Sequence, residues 1–441
     1  MNEKRFGKKE WLVLVLFGLV GQIAWSVENM YFNLFVFETV APSLSTVTLM
    51  VQLSGIVATL TTLVAGTLSD KIGNRRSLIS WGYTIWGITV AMFGFLSPEL
   101  TQKLIGCGLD RAVQVTLVAV VVGDCVMTLF GSTANDACFN AWVTDNTESS
   151  FRGKVEGVLS ILPLAAMLIV AGGFGMIVEM IGYSMMFLCL GAVISVCGIC
   201  GIFRLKDSPT LERSGGFGDI LYGFQPSVIK GNAPFYLTLC LVLIYGIACQ
   251  IFMPYLIIYM KTFLNFSVLE YSVVFGAAII LGAAVNLYLT RLSDRKNKNT
   301  MLYFAAAIFS VGLLGMYFSK GMDKAACLIT FGIAGFVMIT GYILISALCG
   351  SLVRDYTPAG DVGKLQGVRM VFSVLIPMIV GPMIGNGINA KMNIPLPDMG
   401  SADVMTTQYI PAPEIFLAGA LFSLLMFALI PVLVKISKKK G

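Results

Sequence analysis

The 441-residue sequence contains no histidine, and charged residues make up only 12% of it. The missing imidazole excludes histidine-based metal sites and histidine proton relays, so proton chemistry here falls to carboxylates. Charge is about half of what a soluble domain carries. There is no G-x-x-x-x-G-K-[ST] loop, which excludes direct use of ATP through that motif. No alternation of polar and apolar residues runs through the long segments, which argues against a membrane β-barrel. The basic residues form no patch; they are scattered among short loops, so the net charge of +6 is no nucleic-acid signal.

What fills the chain instead is apolar. Hydrophobic residues are 57% and the mean hydropathy is +0.84. About 20 apolar residues cross a bilayer core, and inside lipid the backbone must satisfy itself as helix. Twelve such segments are expected, near 11–38, 44–68, 78–97, 112–144, 154–181, 184–203, 235–262, 268–291, 300–318, 324–350, 365–390 and 412–434. The fold class is all-α integral membrane. The opening "MNEKRFGKKE" followed by an apolar run mimics a signal peptide, but the run is long and lacks a small-residue cleavage site, which predicts a retained span. The ten cysteines, Cys197-x-x-Cys200 included, lie almost wholly in apolar segments and read as packing residues.

With the N-terminus inside, 24 of the 30 Lys and Arg fall on inner loops and flanks, against Lys103, Arg111, Lys261, Lys320, Lys324 and Lys391 outside. This is the positive-inside asymmetry, and it places both termini in the cytoplasm of a multi-pass plasma (inner) membrane protein. A polar stretch, 204–234, divides the chain into bundles 1–203 and 235–441. Its "FGDILYGFQPSVIK" suits a membrane surface. The halves repeat. "VTDNTESSFRGKVEGV" (143–158) aligns without gaps on "VRDYTPAGDVGKLQGV" (353–368), and "LSDK" (68–71) on "LSDR" (292–295). Tyr31 and Tyr255 share the offset of the second match. Two parallel six-helix repeats with pseudo-two-fold symmetry and a site between them are predicted.

The loop "GTLSDKIGNRRS" (66–77) resembles the signature loop of the major facilitator superfamily. Within it, "NDACFNAWVTDNTESSFRGK" (135–154) and "LVRDYTPAGDVGKLQGVRM" (352–370) are similar to the glycoside–pentoside–hexuronide and sucrose-transporter-like branch. The resemblance implies a secondary active transporter: a cation-coupled symporter of a sugar or related solute, working by alternating access, not an enzyme, without cofactor or resident metal. Its partners are a small solute, a proton or sodium ion and the bilayer, with no nucleic acid and a monomeric state. Cation-coupled members often carry acids in the second helix; here that span has Gln52 and none, which favours the proton over sodium. The fifth span lacks the G-P-x-x-G-G pattern of drug exporters, and "GPMIG" (381–385) stands in span eleven instead. Two other readings stay open: a carrier or exporter of a lipid-like or organic compound, and a non-transporting membrane sensor.

Polar groups inside lipid are expensive. In "WSVENMYFN" (25–33), Gln22, Ser26, Asn29 and Asn33 follow spacings of four, three and four. In a regular α-helix they fall within about 60° of arc. They form either a cavity-lining stripe suited to a hydroxylated solute or polar contacts between helices. Glu28 stands beside the stripe with Trp25, whose ring suits a sugar face or simple packing. Asn135, Asn140, Gln250 and Tyr255 complete the solute candidates. Glu28 and Asp136 are the cation-coupling candidates, the latter also from its match to an acidic residue of the resembled branch. Asp124 is about 30 Å of helix from Asp145, which predicts a solvated or capped end residue. Arg369 either snorkels to the interface or pairs deeper. Asp70, Arg75, Arg76, Asp145, Arg152, Asp355 and Lys364 suggest a cytoplasmic gate, with Asp70 near Gly363–Lys364; topology-setting charge explains part of the same pattern.

Overall fold

The computed structural model describes residues 7–147, 152–208, 217–295, 298–358, 365–396 and 409–437. The described chain is almost entirely helical, and the only β pairing in it is the isolated bridge Pro395–Tyr409. Eleven helical runs are long and apolar enough to cross a membrane. We label them α1 (Lys9–Val40), α2 (Leu44–Ile72), α3 (Arg75–Phe95), α4 (Leu109–Asn146), α5 and α6 (together Gly157–Arg204), α7 (Ala233–Thr262), α8 (Val268–Leu289), α9 (Thr300–Phe318), α10 (Lys324–Tyr356), α11 (Gln366–Met392) and α12 (Glu414–Ser437). The 48-residue run that holds α5 and α6 is too long for one crossing. It breaks at Gly182, whose φ of 75° suits a residue without Cβ. Twelve apolar helices result, as the hydropathy predicts.

The punctuation is local chemistry. Asn74 follows Gly73 and accepts from the Ser77 amide at 3.0 Å, which starts α3. Ser97 caps a short helix, Pro98–Ile105, and Asp323 caps α10 through the Ala326 amide.

The chain packs as two compact units, residues 1–41 with 56–217, and 42–55 with 218–441. In the first, α3 lies along α6 and α1 along α5. Its core carries the largest buried rings, among them Trp86, Trp142, Tyr31 and Tyr83. In the second, α9 packs between α10 and α12, and α7 against α11. There the N-terminal half of α2 runs antiparallel to α11 in a ladder of polar contacts. Asn386 donates to Ser45 at 3.4 Å, the Tyr255 hydroxyl joins Thr48 at 2.7 Å to the Pro382 carbonyl at 2.9 Å, and Gln52 donates to the Ile379 carbonyl at 2.9 Å. The segment after 204–216 is a short helical turn, Phe217–Phe224, pinned to the same unit through the Gly223 carbonyl and Tyr236 hydroxyl. All ten cysteines are free thiols.

Several spans are not regular α-helix. π-Helical turns occupy Glu28–Phe32 and Val36–Val40 of α1, Ser132–Phe139 of α4, Val170–Phe174 of α5 and Val371–Leu375 of α11. Each adds about one residue to a turn and rotates everything after it; such turns often mark functional positions.

Candidate functional site

The π turns decide where the candidate residues stand. A straight α-helix would put Asn29 and Asn33 on one stripe. Across the turn Glu28–Phe32 the two differ in depth: Asn29 is exposed, while Asn33 is only 2% exposed and donates back to the Asn29 carbonyl at 3.0 Å. Gln22, Trp25 and Ser26, which precede the turn, are half-buried. On α4 the turn Ser132–Phe139 carries Asn135 and Asp136.

These elements converge in the first unit. The Tyr83 hydroxyl of α3 lies 2.8 Å from the Phe17 carbonyl and 2.8 Å from Asn135 Oδ1. Asn135 Nδ2 donates to Asp136 Oδ1 at 3.1 Å. The Trp25 indole and Ser132 hydroxyl face the same carboxylate. Both of those polar atoms are buried, and neither completes a hydrogen bond of full geometry. Trp25 stacks obliquely on Trp86, with ring centres 5.1 Å apart. Two glycines make the approach possible. A Cβ on Gly131 would stand 2.7 Å from Trp86 and 3.0 Å from Trp25, and one on Gly21 would meet Asn135 and Tyr83.

The open edge is amide-rich. Asn29 donates to the Trp25 carbonyl at 2.8 Å and Asn140 to the Asp136 carbonyl at 3.0 Å, each bonding back along its own helix. Both residues are exposed, and each amide keeps a carbonyl oxygen and a second N–H. A half-exposed ring, a carboxylate and outward amide oxygens together form a surface for a solute that donates hydroxyl hydrogens.

One turn further along, Glu28 is buried and accepts from the Thr128 hydroxyl at 3.2 Å. Asp124 precedes Thr128 by one turn. It is 2% exposed, so of the expected solvated or capped end residue the solvated form is overturned. The reason is length. α4 has 38 residues, about 57 Å of helix, which is more than one crossing of the bilayer core needs. Counting back from Asp145 misplaces Asp124, which stands near the middle of the span.

In the second unit Gln250 is half-buried where α7 loses its regular turn, against Gly381. Tyr255 is wholly buried, with its hydroxyl taken by Thr48 and Pro382. Arg369 is half-buried, two residues before the π turn of α11.

The proposed gate residues resolve into pairs inside each unit. Arg75 is buried; its Nε donates to Asp145, Nη1 to Ser69 at 2.7 Å and Nη2 to Asp70 at 2.7 Å. The Arg76 backbone amide donates to Asp207 at 2.8 Å, and its Nη2 donates to the Ile202 carbonyl. Asp355 meets Lys298 at 2.5 Å, and Lys298 also donates to Ser351. Lys364, Gly363 and the side chain of Arg152 lie outside the described residues.

Sequence reasoning missed Tyr83, Thr128, Ser132 and Lys298. The first is an ordinary aromatic in any apolar helix. The two hydroxyls had a signal, since Asp124, Thr128, Ser132, Asp136 and Asn140 recur at every fourth residue. Lys298 lies beside the duplicated "LSDR", much as Arg75 lies beside "LSDK".

Curated proteins provide no match to this chain. Among solved structures, the nucleoside transporter NupG (D323A mutant) aligns with a TM-score of 0.68 at 12% identity, over 96% of this chain and 98% of that one. A bacterial homolog of the human lysosomal transporter Spinster aligns at 0.66 and 13% identity, over 98% of both. A bacterial metal transporter aligns at 0.61 and 15% identity, over 98% and 100%. At such identities the likeness is one of fold. The family model described as Major Facilitator Superfamily matches residues 12–382. The chain belongs to the Major Facilitator Superfamily of membrane transporters.

Proposed function

We propose that this transporter moves a small hydroxylated solute, a sugar or glycoside, by proton symport through alternating access in the plasma membrane, with both termini cytoplasmic. The observation that carries the reading is the node at Asp136: a carboxylate deep in α4, beside the Trp25 ring and bordered by exposed amides. A carboxylate at membrane depth calls for a charge-balancing role, and the proton is the smallest one. The ring offers a face to the C–H side of a sugar, and the amide oxygens take its hydroxyls.

Asp136 and Glu28 carry the proton. Gln22, Trp25, Asn29, Asn33, Asn135 and Asn140 serve the solute from bundle 1–203. Gln250 and Arg369 are the polar candidates of bundle 235–441, where Tyr255 holds the ladder along α11. Arg75–Asp70–Asp145 and Lys298–Asp355 brace the cytoplasmic ends through the cycle.

Uptake into proteoliposomes tests this. Labelled glucose, sucrose and uridine are offered with and without an inward proton gradient. Saturable, gradient-driven accumulation of a sugar supports the reading. Uptake of uridine alone replaces the solute class. Binding without flux favours the sensor.

A further inference from the structure

The proton reading leaves unexplained a row of buried polar groups above Asp136. Along α4, Asp124, Thr128, Ser132 and Asp136 recur at every fourth residue. Asp124 is 2% exposed, and Thr128 and Ser132 are wholly buried. In a regular α-helix a spacing of four drifts by about 40° per step. Here the π turn Ser132–Phe139 begins at the third member and keeps Asp136 beneath it. The Thr128 hydroxyl donates to Glu28 of α1. The Ser132 hydroxyl faces Asp136 and completes no hydrogen bond of full geometry. The row therefore has a carboxylate at each end, a third carboxylate joined at Thr128, and a buried hydroxyl facing Asp136.

Charge placement sharpens the point. Every Lys and Arg in α1–α6 lies near an end of its span: Lys9, Lys71, Arg75, Arg76, Arg111 and Arg204. Three carboxylates share the interior. Groups on the packed elements are few. Cys125 lies between Asp124 and Thr128 and feels both Asp124 and Glu28. Tyr83 of α3 is engaged by Asn135, Trp25 of α1 faces Asp136, and Glu38 of α1 accepts from Tyr183. Glu99 and Lys103 of the short helix before α4 are exposed.

We infer that α4 is a proton path, in which Glu28 and Asp124 form the entry site and Thr128 and Ser132 pass the proton to Asp136. The inference rests on the proton-coupling reading and extends it from one residue to a route. Successive members are about 6 Å apart along the axis, a gap one water bridges. Each hydroxyl gives its proton onward as it takes one from the neighbouring water, so one O–H bond forms for each that breaks. One proton moves, both hydroxyls end neutral, and the negative charge passes from Asp136 to the entry pair.

The experiment follows protons, not solute. Transporter of single orientation in proteoliposomes receives a pH jump on the Leu109 side, and time-resolved infrared spectra follow the carboxylic C=O bands. Asp136→Asn, Glu28→Gln and Asp124→Asn assign the bands. In Thr128→Val and in Ser132→Ala the Asp136 band rises about a hundredfold more slowly than in the parent, while the entry bands keep their rate. Thr128→Ser and Ser132→Thr, which keep the hydroxyl, restore it. An Asp136 band that rises at the parental rate in both hydroxyl-free variants overturns the route while leaving proton coupling intact. A parent in which no carboxylic band responds overturns the proton-coupling reading itself.

Discussion

Arg75 holds Asp145: the Nε of the first residue of α3 donates to the carboxylate in the last turn of α4, while Nη2 reaches Asp70 at 2.7 Å. Lys298 holds Asp355 in the other unit, at the position that repeats Asp145. A duplicated acid is thus gripped by a cation from an equivalent loop, although the cation itself is not conserved between the halves. The pairs differ in depth. The Arg75 side chain is 7% exposed and that of Lys298 is 37% exposed.

That difference predicts unequal costs. Arg75→Ala leaves Asp145 without its buried guanidinium and lowers stability by about 3 kcal/mol, whereas Lys298→Ala costs under about 1 kcal/mol. Arg75→Lys falls between, since an ammonium cannot serve three oxygens in fixed directions. Thermal unfolding in detergent ranks the three; equal losses for Arg75→Ala and Lys298→Ala would contradict the assignment.

In the proposed site, Trp25 offers the solute a ring. Trp25→Ala raises the KM for the transported solute about tenfold, and Trp25→Phe by less, because a smaller ring keeps part of the stacking. Concentration-dependent uptake gives both numbers. A KM unchanged in the alanine variant assigns Trp25 to packing against Trp86.

The proposed proton coupling at Asp136 has a sign. Coupled uptake needs the acid form of Asp136, so accumulation rises as the pH on the entry side falls and is lost as the group deprotonates. Asp136→Asn carries no exchangeable charge, which abolishes accumulation and flattens the pH profile. Glu28→Gln has the same outcome. Uptake against pH in both variants decides it, and a parental profile in Glu28→Gln removes that residue from the coupling machinery.

The ladder of Ser45, Thr48 and Gln52 along α11 predicts a conformational effect. Gln52→Leu removes the bond to the Ile379 carbonyl, and Tyr255→Phe the link between Thr48 and Pro382. Each costs about 1 kcal/mol. A cysteine at Ser45 is labelled faster by a membrane-impermeant maleimide in either background than in the parent. Unchanged labelling would show that the ladder does not restrain this edge.

Hydropathy and loop charge made the twelve helices legible, because lipid imposes a length and a composition on every crossing. The repeated "LSDK" and "TDN…GKVEG" stretches exposed the duplication for the same reason: loops that set topology leave charged, countable residues. The candidate site was legible in part. Trp25, Asn135 and Asp136 were chosen from the sequence, and the structure brings them together. Their companions Tyr83 and Trp86 are unremarkable in an apolar run, whereas Ser132 is marked by its spacing of four from Asp136.

The sequence by itself determined the number of crossings, the internal repeat and the shortage of interior cations, all of which depend on residue type and count. Only the tertiary structure decided which polar side chains share a face. The helical wheel assumes a constant turn, and α1, α4, α5 and α11 violate it within the membrane. A π turn depends on what packs beside the helix, so it leaves no mark in local composition. The one in α4 aligns Asp136 beneath Ser132, and the proposed route rests on that alignment.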